Sequence, residues 1–200
     1  MVKVRSLMLA VAALLFAAFA SPASLCAQSA VAEFKTGRAL MDSNKADAAV
    51  KAFERAVALD DKNPEYHLWL GNAVGSVAQN ASVLRQPFLA RRVKAEFERA
   101  VQLDPSNIGA REGLVSFYVR APGVMGGSMA RAREQAEAIA KINPMRGHFA
   151  RASIAVNQKD LARAERELRA AADENPDSLN AATRLERFLT RSRAQSVKRP

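Results

Sequence analysis

The sequence reads Ala49-Val50-Lys51-Ala52-Phe53-Glu54-Arg55-Ala56-Val57-Ala58-Leu59-Asp60 at one place and Val93-Lys94-Ala95-Glu96-Phe97-Glu98-Arg99-Ala100-Val101-Gln102-Leu103-Asp104 at another. Eight residues past each phenylalanine stands a unit-closing position, Asp61 in the first copy and Pro105 in the second. Two weaker copies follow, Ala132 to Pro144 and Ala164 to Pro176. A unit that recurs every few dozen residues marks an array of like supersecondary pieces. Such arrays present a surface more often than an active site.

Outward from these phrases, nearly everything after Ala30 reads as helix. Alanine, arginine, glutamate and leucine dominate, all strong helix formers, and strand-type alternation is absent. Turn residues, with proline just beyond helix ends, fall at Ser43-Asn44-Lys45, Asp60 to Pro64, Asp104 to Asn107, Asn143-Pro144, Asn157 to Asp160 and Asn175 to Asp177. The spacing predicts paired helices over residues 30–43 and 46–59, 64–77 and 88–103, 108–120 and 128–142, and 145–157 and 161–174. A lone last helix, 178–193, follows, with a disordered basic tail over 194–200.

This pattern resembles the tetratricopeptide repeat (TPR) family, whose unit of about 34 residues carries W-x₂-L-G-x₂-Y in its first helix, A-x₃-F in its second and a closing proline. The first unit offers Gly37 and Leu40, then Ala49, Phe53 and Ala56. The second offers Leu70-Gly71 and Val74, with His67 at the tryptophan place, then Phe97, Ala100 and Pro105. The third has Leu114 and Tyr118, then Ala132, Ala136 and Pro144. The fourth has Ala152 and Ala155, then Ala164, Leu168, Ala171 and Pro176. The resemblance implies an all-α solenoid of four helix hairpins plus a C-terminal capping helix. In it, Gly37, Gly71 and Ala152 let paired helices approach, while Phe53, Phe97 and Leu168 fill the gap to the next pair. No pair can bury its apolar face alone, so stacking is obligatory. Leu185, Phe188 and Leu189 are expected to cover the end of the stack.

The spacing departs from the unit. Phe53 to Phe97 is 44 residues, Phe97 to Ala136 is 39 and Ala136 to Leu168 is 32. Both lengthenings fall inside a helix pair, at Ser76–Pro87 and at the loop Pro122–Gly127. Insertions in repeat arrays map to loops on one face, often the binding face. The first insertion is either an elongated hairpin or a lid. In the second, Val124 and Met125 are apolar where a plain connector would be polar. They either tuck onto the core or form a lip against a ligand.

In the TPR family the first helices line a concave groove that holds an extended peptide or a helix. Carried onto this sequence, that face comprises Phe34, Arg38 and Met41; Leu68 and Asn72; Glu112, Ser116 and Arg120; and Arg146, Phe149, Ser153 and Asn157. Asparagine bonds a peptide backbone, and arginine grips a carboxylate in bidentate fashion. The candidate contacts are therefore Arg38, Met41, Leu68, Asn72, Arg120, Val124, Met125, Arg146, Phe149 and Asn157.

The N-terminus reads differently. Lys3 and Arg5 precede an apolar run from Leu7 to Phe19, and small residues lead to Ala27. That is the layout of a cleavable secretory signal over residues 1–27, with a run too short to span a bilayer. Leu25 before Cys26 departs from the small residue that normally precedes a lipid-modified cysteine. A cut after Ala27 removes the only cysteine and takes the formal net charge from +10 to +8, with Lys3 and Arg5 lost. The mature chain is then one domain without disulfides, held by packing. A periplasmic or secreted location follows as an expectation. Its basic charge turns toward envelope surfaces rather than nucleic acid.

Catalysis finds no motif: no HExxH, nucleophile elbow or acidic metal loop is present. His67 and His148 hold equivalent repeat positions and read as packing residues. Asp60, Asp61 and Asp104 read as turn-makers. The expectation is a non-catalytic protein-binding scaffold of the cell envelope, with no cofactor, no metal and no transmembrane segment in the mature chain. The alternative is a basic protein that associates with anionic lipid or cell-wall polymer.

Overall fold

The structure, a computed structural model, describes residues 22–197. Expectations for residues 1–21 and 198–200 lie outside it. Among the described residues there are nine α-helices and no strand: α1 (Pro22–Asp42), α2 (Ala46–Leu59), α3 (Pro64–Gln79), α4 (Gln86–Leu103), α5 (Ile108–Arg120), α6 (Met129–Ile142), α7 (Pro144–Asn157), α8 (Leu161–Asp173) and α9 (Leu179–Val197). A 3₁₀ turn, Gly123–Met125, stands between α5 and α6.

The breaks are where the turn residues stand. Asn63 caps α3 by accepting from the Glu65 amide at 3.0 Å, and Asn107 caps α5 from Ala110 at 2.9 Å. Asp160 caps α8 from Arg163 at 2.9 Å. Each bond satisfies an amide that the first helical turn leaves without a partner. Asn143 alone separates α6 from α7, closing one and capping the other. Asp60 and Asp104 accept amides two residues on, from Lys62 and Ser106. The serine hydroxyl, and after it the amide, hold the Asp104 carboxyl below its ordinary range.

Helices pair as α1–α2, α3–α4, α5–α6 and α7–α8, and α9 packs on α8. This is the expected solenoid of four hairpins and a cap. Its core is one large cluster from Ala49 to Ile154, with smaller ones at the N-terminal end, on Ala30, Ala56 and Tyr66, and under α9, on Phe149, Leu168, Ala171 and Ala181. Phe53 and Phe97 are buried wedges. A Cβ on Gly71 would come within 2.8 Å of the Phe97 ring, and one on Gly113 within 2.6 Å. Phe97 therefore lies between two helices that can approach it only where they lack side chains.

Two boundaries differ from the sequence reading. Helix α1 begins at Pro22, eight residues before the expected Ala30, because Ala23 to Ala30 is rich in helix formers with no breaker. Helix α9 continues to Val197, past the expected end at Arg193 and into the stretch expected as a tail. The insertion at Ser76–Pro87 is an elongated hairpin rather than a lid. Helix α3 runs eight residues past Gly71, whereas α1 ends five past Gly37, and α4 starts eleven before Phe97, whereas α2 starts seven before Phe53.

Candidate functional site

The outer hairpins turn tightly. Asn44 and Lys159 adopt left-handed backbone at φ 58 and 61, each reversing the chain within three residues. The inner hairpins carry longer tips, residues 80–85 and 121–128. The second tip is built on Gly126 at φ 96 and Gly127, where a Cβ would fall 1.8 Å from the Ala121 carbonyl oxygen. The Ser128 amide donates to Tyr118 O at 2.9 Å and ties the tip to α5.

Between these inner hairpins lies a cleft of about 580 Å³, walled by α3 and α5 and floored by Ala90, Val93 and Phe97 of α4. It exists because its walls carry small residues: Gly71, Gly75 and Ser76 on one side, Gly113 and Ser116 on the other. Val93 and Phe97 make the floor apolar; Asn72, Gln79 and Gln86 supply amides. Arg120 is the one charged residue of the lining, and among the described residues it forms no ion pair. An apolar floor, amides and a single cation suit an apolar side chain carried on a peptide, with a carboxylate close by.

Of the residues carried onto the concave face, Met41, Asn72, Ser116 and Arg120 line this cleft, and Met125 of the Pro122–Gly127 loop joins them. The rest lie elsewhere. Leu68 is buried in the main core, 3.0 Å from where a Gly109 Cβ would stand. Phe149 is buried under α9, with the Arg184 guanidinium 4.4 Å above its ring. Both are removed from the surface expected for them, because stacking covers the sides of the first helices. Arg38 lies 3.7 Å over Trp69, and Phe34 packs between Phe53 and Tyr66 at 5.7 and 5.0 Å. Arg146 is bound to Glu112 in bidentate fashion, its Nε 2.9 Å from Oε1. Ser153 and Asn157 are exposed on α7, away from the cleft lining. In the loop, Met125 turns into the cleft while Val124 stands 96% exposed at the tip. Val124 therefore does not tuck onto the core, and Met125 is half-buried at the edge of the cleft.

Sequence reasoning missed Gly75, Gly113, Ala90 and Val93. The available signal was glycine inside two helices, which marks a close approach or a site.

The two histidines are built into the hairpins. His67 Nδ1 lies 2.8 Å from Glu96 Oε2 and Nε2 lies 3.0 Å from the Asp61 carbonyl. Both partners only accept, so both ring nitrogens donate and the imidazolium is the form that fits. The Glu96 carboxylate accordingly raises the His67 pKa against the opposing effect of burial. His148 repeats the arrangement, with Nδ1 2.9 Å from Glu167 Oε2. Between them in the chain, Arg111 donates to Gln135 at 2.7 Å. The tryptophan place of the repeat is thus taken by a polar residue bonded across the hairpin, and His67 has no nitrogen left for a substrate. Among the described residues no group of three or more histidines, cysteines and acids could hold a metal ion. No helix among them is long and apolar enough to cross a membrane.

Residues 37–76 match the family described as TPR repeat. No curated protein matches the chain. Among solved structures, Pseudomonas aeruginosa PilF superposes with a TM-score of 0.58 at 14% identity, over 84% of this chain and 70% of that one. MamA from Desulfovibrio magneticus RS-1 gives 0.56 at 13%, over 84% and 88%. YrrB, described as a TPR protein with an unusual peptide-binding site, gives 0.55 at 20%, over 79% and 75%. At these identities the likeness speaks for the fold alone. Residues 37–76 thus carry the pattern of a TPR repeat, and the hairpins stacked through the rest have the fold of TPR solenoids.

Proposed function

We propose that this chain is a non-catalytic protein-interaction module that holds a peptide or helical segment of a partner in the cleft between its second and third hairpins. The observation that carries the reading is the cleft itself: an apolar floor, amides on its walls and the cation of Arg120, which forms no ion pair among the described residues. Solenoids of this kind bind through such concave surfaces, and YrrB is described as having a peptide-binding site. A few buried anchors would supply the affinity. The proposal includes export: a signal over residues 1–27, cleavage after Ala27, and a scaffold or assembly role in the envelope. Ala27, Gln28 and Ser29 are exposed and Ala30 is buried, which is compatible with a cut at that point.

A photocrosslinking residue at Ser116, which lines the cleft, and another at Arg166, exposed on α8, would test this in the producing cell. A discrete protein adduct from position 116 alone is expected. Equal adducts from both positions, or none from 116, would remove the cleft. The N-terminal sequence of the accumulated protein tests export: it should begin at Gln28.

A further inference from the structure

The two long tips, with the first turn of α4 beside the first of them, carry apolar side chains that nothing among the described residues covers. Val83, Leu84 and Phe88 are 75%, 85% and 71% exposed, and Val124 on the neighbouring tip is 96% exposed. Single exposed apolar residues are ordinary; four at two adjacent tips are not. The tips lie on one edge of the solenoid. Gln86 and Ala90 beside the first, and Pro122 and Met125 of the second, border the same cleft, and the 3₁₀ turn packs on α4.

The charge there is one-sided. No acid occurs from Tyr66 to Ala95 or from Gly113 to Arg133, while these stretches hold Arg85, Arg91, Arg92, Lys94, Arg120, Arg131 and Arg133. Arg92 and Lys94 are paired to Glu54 and Glu98. Arg85, Arg91 and Arg120 form no ion pair among the described residues. Apolar points ringed by free arginines are what an interfacial membrane contact requires: side chains for the acyl boundary and cations for anionic headgroups.

We propose that this edge docks on an anionic lipid bilayer, with Val83, Leu84, Phe88 and Val124 entering the interface and Arg85 and Arg91 lying on headgroup phosphates. The shape favours lipid over an acidic protein. The apolar groups stand on two separate, highly exposed tips, which a fluid surface accepts at once, whereas a protein would have to offer each a pocket of its own. The inference stands apart from peptide binding, which uses the interior of the cleft.

The test is a depth measurement on the full chain carrying Phe88→Trp, an exposed position where tryptophan leaves packing untouched. The apolar run at residues 7–19 can hold the chain on a vesicle by itself, so the readout is burial at position 88, not the bound fraction. The parent chain, with Trp69 alone, gives the background. With phosphatidylglycerol vesicles the added emission should shift to the blue and be quenched by brominated acyl chains. Both effects should be absent with phosphatidylcholine vesicles. They should also be lost when Val83→Asp and Leu84→Asp, or Arg85→Glu and Arg91→Glu, are added. No quenching with phosphatidylglycerol, equal quenching with both lipids, or quenching that survives both double substitutions would overturn the proposal. A shift produced by poly-glutamate but not by vesicles would assign the edge to an acidic protein instead and overturn it as well.

Discussion

The junction between the second and third hairpins is open, and that between the third and fourth is shut, although both are built from the same unit. In the open junction α3 and α5 face each other with Gly75 and Gly113, and the space between reaches down to Val93 and Phe97. In the shut one, Asn143 is the whole connection, a Cβ on Gly147 would fall 2.4 Å from the Ala140 Cβ, and Glu112 grips Arg146 across the seam. Linker length alone does not set the difference. Linkers of four residues, Asp60–Asn63 and Asp104–Asn107, precede the second and third hairpins, against one residue before the fourth. The first and second hairpins pack closely across the same four-residue length, so it is the small wall residues Gly71, Gly75, Ser76, Gly113 and Ser116 that leave the junction between the second and third open. A repeat array can thus hold one junction open while keeping the next closed.

This contrast can be broken most severely at Phe97. Its ring is the wedge that holds α3 and α5 apart and supplies the cleft floor. Phe97→Ala is expected to cost about 3–5 kcal/mol, read by chemical denaturation, since burial and cavity terms add. Gly147→Ala should cost about 1–3 kcal/mol, because backbone must move. By contrast Gly75→Ala, whose Cβ would meet nothing nearer than Val93 Cγ2 at 3.8 Å, should stabilise by about 0.5–1 kcal/mol through helix propensity. Equal effects at the two glycines would erase the distinction between the junctions. A smaller loss is expected for Glu112→Gln. The pair it breaks is more than a third exposed on both sides, so about 0.2–1 kcal/mol is at stake, and less at high salt.

Acidity sharpens the picture in the second hairpin. The folded His67 pKa is raised above its unfolded value of 6.5 by Glu96. The folded state therefore binds the extra proton. The pair's stabilisation is fully present below pH 6.5 and declines as pH rises through the folded pKa. Stability measured against pH should fall over that range in the parent chain, and the fall should flatten in His67→Phe.

The hairpins were legible because each break is written as asparagine or aspartate before a helix, and the wedges because Phe53 and Phe97 recur in one phrase. The concave face was legible only in part. Helical spacing puts Leu68 with Asn72 and Phe149 with Ser153, but periodicity within one helix cannot show which neighbour covers its flank. Gly109 brings α5 onto Leu68, and α9 covers Phe149. The cleft depends on Gly75 and Gly113 lining one space from two hairpins, a long-range fact that no local pattern contains. The histidines were legible as equivalent positions, yet their carboxylate partners, 29 and 19 residues away, follow only once the insertion in the second hairpin is known to lengthen its helices.

The central claim is that the open junction is the binding site. Gly75→Leu would fill it from a wall position with space for the side chain. A display library of random peptides, selected in parallel on the parent chain and on this variant, tests the claim directly. On the parent the selected peptides should share an apolar anchor beside an acid or a free carboxylate, and on the variant that consensus should disappear while the thermal midpoint is kept. The same consensus on both chains would contradict the account.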